Sequence, residues 1–327
     1  MKEFEIIKKY FLPLSNNNKA AQLLKDDAAL VTISPKKQLV ISKDLSAQDI
    51  HFKKSYGGNL IAQKLLISNL SDIAASGAKP LYYLLGFSQH KNLDEKFIAD
   101  FCAGLKKIGE EFKIDLIGGD SVRVADKLCF SVTVFGEVAQ GKSLKRSAAK
   151  NGDLIFVSGN IGDSFLGLQI LQNKISCKNA HDKKYLIDRH LLPTPRIKLG
   201  EELVKNNIKC AIDVSDGFFA DLKHICEASK LDAVISENLI PISKAAKSCI
   251  QENNIARSQL FSGGEDYELI FTVLAKDQKN IEKLAKKLKV KLTCVGYFKK
   301  PKTVPELHLL DEKGGELKIE KYGWQHY

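Results

Sequence analysis

No run of about 20 apolar residues occurs in this chain, so no stretch is built to cross a bilayer as a helix. The opening Met1-Lys2-Glu3-Phe4-Glu5 places charge on both sides of Phe4 and lacks the apolar core of a secretory signal. The expected compartment is the cytoplasm, with no membrane partner. The seven cysteines, at 102, 129, 177, 210, 226, 249 and 294, include no CxxC pair. That scatter argues for reduced thiols over a zinc site or a disulfide framework. No repeat of short fixed period is present. Nor does any basic patch interleaved with aromatics stand out, although the net charge is +11. Lysines spread over a solvated surface account for that charge. A basic nucleic-acid-binding protein is the alternative of a different class; it requires tight, steeply salt-dependent oligonucleotide binding.

What is present is enough chain for two domains, 327 residues with 44% apolar content. A short helix is expected up to Phe11, then a polar and mobile stretch over 15–25. Strands are expected over 29–33 and 39–42, joined by a Pro-Lys-Lys turn. A helix over 59–76 is apolar on most sides, as buried helices are. Its Asn69, Asp72 and Ser76 fall at i, i+3 and i+7, on one stripe. A buried Asp needs a partner or a metal. A strand over 81–87, a helix over 95–112, a strand over 114–117 and a long alternating strand over 129–138 follow. These elements predict an α+β domain, a mixed sheet with helices on one face. The domain boundary is placed near 150, giving domains 1–150 and 151–327. The second half reads as an α/β domain, with strands over 154–158, 211–215, 231–236, 269–273 and 290–296. Helices are expected near 182–190, 196–205, 218–226, 242–250 and 276–288.

Chemistry concentrates at turns. Ile212-Asp213-Val214-Ser215-Asp216-Gly217 is an apolar lead-in ending in two carboxylates three positions apart, followed by an amphipathic helical run. In a strand, Asp213 and Ser215 share a face, while Asp216 sits at the strand-to-helix turn. Carboxylates there suit Mg²⁺, a hard cation that takes oxygen ligands. A plain helix cap in an Asp-Gly turn is the competing reading. Asp26, Asp27, Asp44, Asp72 and Asp120 also stand mostly where apolar elements end. Gathered together, such carboxylates repel unless cations lie among them. Several Mg²⁺ ions and a polyphosphate meet that need. Glycine-rich turns at Gly118-Gly119 and Gly263-Gly264 would let amides approach phosphate. Arg146 is a fork-shaped donor suited to the same group. One motif match is rejected. Residues 136–143 fit GxxxxGK[ST], but too few residues separate Ser143 from the Asn151-Gly152-Asp153 turn for the sustained helix a phosphate loop needs.

These residues also carry a resemblance. Asp26-Asp27-Ala28, Ser42-Lys43-Asp44, Asn69-Leu70-Ser71-Asp72, Gly118-Gly119-Asp120, Arg146-Ser147, Ile212 to Gly217, Ser262-Gly263-Gly264-Glu265-Asp266-Tyr267-Glu268-Leu269 and the closing Gly-Trp-Gln-His-Tyr occur in order. The set resembles the thiamine-monophosphate kinase family. The resemblance implies a two-domain PurM-like fold, a homodimer joined through the N-terminal sheets, and ATP-dependent phosphorylation of thiamine monophosphate to thiamine diphosphate. It implies Mg²⁺ at Asp26, Asp44, Asp72, Asp120, Asp213 and Asp216. It implies ATP contacts from Gly119, Asp120, Arg146 and Ser215, and substrate contacts from His51, Glu265 and Trp324. Enzymes similar to aminoimidazole-ribonucleotide synthetase or selenophosphate synthetase share the fold and are the nearest alternatives. Lys25 and Lys43 depart from the family pattern beside two of these aspartates. Cys102 stands where relatives often place an aromatic against the adenine. The acceptor phosphate is ionised near neutral pH, its second pKa being about 6. No general base is therefore expected, and transfer is expected to be direct and in line.

Overall fold

Every second side chain of Cys129–Ala139 is buried, and around this strand the first sheet is assembled. The protein, described by a computed structural model over residues 3–90 and 94–324, divides into two units. One is Met1–Ile73 with Ala78–Gly141, the other Ala74–Gly77 with Lys142–Tyr327. The expectations that touch Met1, Lys2 and the last three residues, Gln325, His326 and Tyr327, lie outside the described residues.

The first unit runs α1 (Glu3–Ile6), β1 (Lys37–Ala47), α2 (Gly58–Ala75), β2 (Lys79–His90), α3 (Glu95–Phe112), β3 (Asp115–Val124) and β4 (Cys129–Ala139). The order across its sheet is β1-β4-β2-β3. Only β2 and β3 run parallel, so the sheet is mixed as expected. On one side, the rings of Phe87, Phe101 and Phe130 meet at centroid distances of 4.7–5.3 Å, tying α3 to β2 and β4. Each fully buried phenylalanine contributes about 1.5–3 kcal/mol of hydrophobic stabilisation. Leu66, Leu70 and Ile73 of α2 are wholly buried, which explains why that helix is apolar nearly all round. The sheet's other side leaves Ile41, Leu45 and Val122 more than half exposed.

Three local expectations are corrected. No strand forms over 29–33. Pro35 cannot donate to a ladder; Leu30 and Ile33 remain exposed, while Ala29 and Val31 pack as irregular chain against Ala20, Ala21 and Ile117. The 15–25 stretch is folded into short helical turns. Asn16 and Asn18 donate to the two oxygens of Asp115 at 2.7 and 2.8 Å, and Ala20 and Ala21 pack on Ile117. Gly118 and Gly119 lie inside β3, paired with Leu84 and Leu85, and do not form a turn.

The second unit contains β5 (Leu154–Ser158), α4 (Asp163–Leu171), α5 (Ala180–Leu191), α6 (Ile197–Lys205), β6 (Ala211–Asp213), α7 (Phe218–Ser229), β7 (Asp232–Ser236), α8 (Lys244–Asn253), α9 (Arg257–Phe261), β8 (Leu269–Val273), α10 (Gln278–Leu288), β9 (Leu292–Lys299), β10 (Leu307–Leu310) and β11 (Glu316–Leu317). Its seven strands are ordered β11-β10-β7-β9-β5-β8-β6. All of β8 is buried, consistent with an apolar run that shows no alternation. Phe218, Phe219 and Phe261 join Ile212, Val214 and Ile270 in one core cluster. β6 is an edge strand, so the chain leaving it at Asp213 is free to turn away from the ladder. Residues 136–139 belong to β4, and a single turn at Arg146–Ala148 is the only helical element between them and β5, so the phosphate-loop match has no helix to serve it. Among the described residues no helix is long and apolar enough to cross a membrane.

Candidate functional site

In the first unit, α2 presents its polar stripe to β1. Ser42 donates from Oγ to Asp72 Oδ2 at 2.5 Å, and the Asp44 N–H donates to Asn69 Oδ1 at 3.1 Å. The helical spacing of Asn69 and Asp72 thus meets the two-residue period of Ser42 and Asp44. Burial, and then the charge of Asp72, pushes the Asp44 carboxyl up to about 6. A divalent cation held by these oxygens would relieve both effects, and an all-oxygen donor set is of the kind that suits Mg²⁺. Lys43 does not enter this group. It pairs with Thr133 across the sheet, points to the opposite face from Asp44, and reaches Ser131 Oγ at 3.3 Å.

The other expected residues of this unit are placed apart from that pair. Asp26 is exposed in an irregular stretch beside exposed Lys25. Asp120 lies in the row Leu45–Ser131–Gly86–Asp120, on the open face of the sheet. Asp44 lies in the neighbouring row with Val132, Leu85 and Gly119, on the helix side. Asp120 Oδ1 accepts the Ser121 N–H at 2.8 Å. Gly119 is held by its neighbour strand: a Cβ there would stand 2.0 Å from the Leu85 carbonyl oxygen. His51 Nδ1 accepts the Ala47 N–H at 3.1 Å, which fixes the ring just beyond β1. Cys102 is buried in α3, and burial pushes its thiol up to about 12. It is a core residue here.

In the second unit, two loops run side by side beyond the β6–β8 pair. Val214 N–H donates to Glu268 O, Tyr267 N–H to Val214 O, and Glu265 N–H to Ser215 O, all at 2.8–2.9 Å. Gly264 is required at this crossing, because a Cβ would stand 2.2 Å from the Ser215 carbonyl oxygen. Asp213 is buried at the end of β6, and Asp216 is half-buried in the turn that follows. The chain's last described residues pass over that turn. Trp324 N–H donates to Asp216 O at 2.9 Å, and the residue is 55% exposed. Glu265 takes a left-handed backbone (φ 66°), and its Oε2 lies 3.4 Å from His190 Nδ1. The structure therefore brings Asp213, Ser215, Asp216, Glu265 and Trp324 together. Arg146 is exposed, and its carbonyl accepts from Ser229 Oγ at 2.7 Å.

Sequence reasoning missed the groups that hold these loops. Glu268, 1% exposed, is gripped by Arg196 Nε at 2.6 Å, Arg196 Nη2 at 2.5 Å, Arg189 Nη2 at 3.2 Å and Ser158 Oγ at 2.5 Å. Asp266 accepts the N–H groups of Gly162 and Ser164 at the start of α4, and burial pushes it up to about 8. Asp221 accepts three N–H groups from the Asp216 turn, and burial with the charges of Asp213 and Asp216 pushes its carboxyl well up. Among the described residues, Asp216, Asp221 and His224 form a trio whose ligating atoms lie within 4.8 Å of one another. A signal for Asp221 was present: an acid amid Phe218, Phe219, Leu222 and Ile225 stands on the buried side of a helix.

The AIR synthase related protein family models match this chain, the N-terminal domain over residues 25–138 and the C-terminal domain over 150–304. The chain is 39% identical over 297 residues to the thiamine-monophosphate kinase of Buchnera aphidicola subsp. Schizaphis graminum (strain Sg), covering 90% of each. Among solved structures, the thiamine-monophosphate kinase of Stenotrophomonas maltophilia K279a matches with a TM-score of 0.83 and 34% identity, over 94% of this chain and 96% of that one. AaThiL, solved as a complex with AMPPCP and TMP, matches with a TM-score of 0.79 and 27% identity, over 90% and 89%. With its two-domain PurM-like fold, carboxylate-bearing turns and near full-length likeness, the chain belongs to the thiamine-monophosphate kinase family.

Proposed function

We infer that this protein transfers the γ-phosphoryl group of ATP to thiamine monophosphate, giving thiamine diphosphate and ADP. The observation that carries this reading is the likeness to the complex with AMPPCP and TMP, which pairs an ATP analogue with the acceptor. In this reading Asp26, Asp44, Asp72, Asp120, Asp213 and Asp216 hold several Mg²⁺ ions. Gly119, Asp120, Arg146 and Ser215 contact ATP. His51, Glu265 and Trp324 face thiamine monophosphate. The oxygen donors around Asp44 and Asp72, and around Asp213 and Asp216, support the metal assignment. The half-exposed indole of Trp324 and the carboxylate of Glu265 suit a cationic thiazolium ring.

When bound, Mg²⁺ screens phosphate charge and aligns donor and acceptor oxygens. The chain's own residues orient that assembly. The Ser42–Asp72 bond fixes one carboxylate, and the paired loops fix Ser215 beside Asp216. Because the acceptor phosphate is already ionised, no side chain has to remove a proton. Transfer is direct, with no phosphoenzyme. The protein works in the cytoplasm as a homodimer joined through the open face of its first sheet, a face that carries exposed Ile41, Leu45 and Val122.

A coupled assay for thiamine diphosphate, with and without Mg²⁺, tests the reading. Metal-dependent formation of thiamine diphosphate from ATP and thiamine monophosphate is the expected result. Turnover of formylglycinamidine ribonucleotide or selenide instead, or none with any of these acceptors alongside tight oligonucleotide binding, overturns it.

A further inference from the structure

The turn between β6 and α7 is folded around a side chain that comes after it. Ser215, Asp216 and Gly217 all direct their N–H groups at one atom, Oδ2 of Asp221, at 3.0, 3.1 and 3.1 Å. Asp221 is 2% exposed and lies in the first turn of α7. Gly217, at the start of that helix, has no side chain to cap it, and the N–H groups of the turn leading into it, 215 to 217, take the Asp221 carboxylate as their common acceptor. Three successive N–H groups that converge form a concave nest, a feature that elsewhere receives phosphate or another anion. Here the chain fills its own nest. The turn therefore cannot offer those amides to a nucleotide phosphate. What remain for a ligand at the turn are side-chain oxygens, those of buried Asp213 and half-buried Ser215 and Asp216.

We propose that Asp221 is a positioning residue for phosphoryl transfer: it moulds residues 215–217 so that Asp213 and Asp216 stand toward a divalent cation. This rests on the reading above that those two carboxylates hold metal. Asp221 acts through the backbone, with its Oδ2 committed to three amides, although one of its oxygens lies within 4.8 Å of the Asp216 and His224 ligating atoms. The two roles separate by substitution. Asn at this position keeps an oxygen that can accept from the nest, whereas Ala removes it.

The test uses the full chain, without nucleotide, titrated with Mn²⁺ alone, together with hydrogen exchange at residues 215–217. Asp221→Ala is expected to weaken Mn²⁺ binding at least tenfold and to speed exchange of the three amides. Asp221→Asn is expected to recover most of both. The Mg²⁺ concentration for half-maximal turnover should move in parallel. Unchanged Mn²⁺ affinity in Asp221→Ala overturns the proposal. Equal loss in both variants also overturns it, since that makes Asp221 a ligand. If Asp221→Ala does not fold, Asp221→Asn decides: affinity and exchange near those of the parent support positioning, and affinity lost with exchange unchanged overturns it. If the parent protein makes no thiamine diphosphate, the proposed function fails, while Mn²⁺ binding and amide exchange still judge Asp221.

Discussion

Asp44 shows how a single carboxyl can report on the site. Its ordinary pKa of 3.8 is raised to about 6, first by burial and then by the charge of Asp72. A raised acid favours the folded state only while it is protonated. That contribution is fully present below about pH 3.8 and is lost as pH rises through about 6. In EDTA, Asp44→Asn should therefore be more stable than the parent above pH 6, by at most about 3 kcal/mol, and the gap should close below pH 4. Thermal melts across that window read the difference, and added Mg²⁺ should stabilise the parent more at pH 7.5 than at pH 5. Turnover gives the opposite sign. Asp72→Asn and Asp213→Asn should each lower kcat by about two to three orders of magnitude, the usual effect of losing a preorganised electrostatic contact. Near-normal rates in both variants would refute the metal assignment. Asn69 and Asp72 were legible in the sequence because polar residues on a helix otherwise apolar need partners. Asp221 was missed although its place on the buried side of a helix was a signal, because the partners it holds are backbone amides, which the sequence does not mark.

At the level of elements, the glycines of the 262–268 loop were legible, but not the reason the loop keeps its shape. Glu268 is held by Arg189 at the end of α5 and Arg196 at the entrance to α6, partners more than seventy residues away in sequence. Nothing local to Glu268 announces them. Breaking such a buried pair strands a charge, which costs about 3–5 kcal/mol when no other partner remains. Arg189 stays in place, so Arg196→Met should cost about 3 kcal/mol, the lower end of that range. The double variant Arg196→Met/Glu268→Met should recover most of the loss, as paired apolar replacements often do. Urea unfolding of the four proteins in the cycle measures it. Strand readings failed for a related reason. Residues 29–33 have strand-like composition, yet Ala29 and Val31 pack as irregular chain against Ala20, Ala21 and Ile117, and β3 runs through Gly118-Gly119 because β2 pairs with it there. Pairing is decided by the neighbouring strand, and the neighbour is remote in sequence.

Across the whole molecule, the open face of the first sheet asks for a partner. Antiparallel strands such as β1 and β4, with one face in water, normally turn polar residues outward. Here the outward positions of β1 include Ile41 at 56% and Leu45 at 59% exposure. Their cross-strand neighbours are Phe135 and Ser131 on β4, then Tyr82 and Gly86 on β2, with Val122 exposed on β3. Lys43 and Asp120 stand on the same face, but large apolar side chains left this exposed on a sheet favour an association surface over a solvated one. A two-fold axis presents the same patch from both copies, so each buried side chain counts twice. Burying the remaining half of Ile41 and of Leu45 contributes roughly 1 kcal/mol per side chain, and a glutamate at each position would set four like charges against one another across the axis. The parent protein should sediment at twice the chain mass at tens of micromolar. Ile41→Glu/Leu45→Glu should sediment as a single chain with unchanged far-UV circular dichroism, because both side chains face outward from their own fold. A parent protein that sediments as a single chain, or a double variant that still pairs, removes this face as the dimer contact.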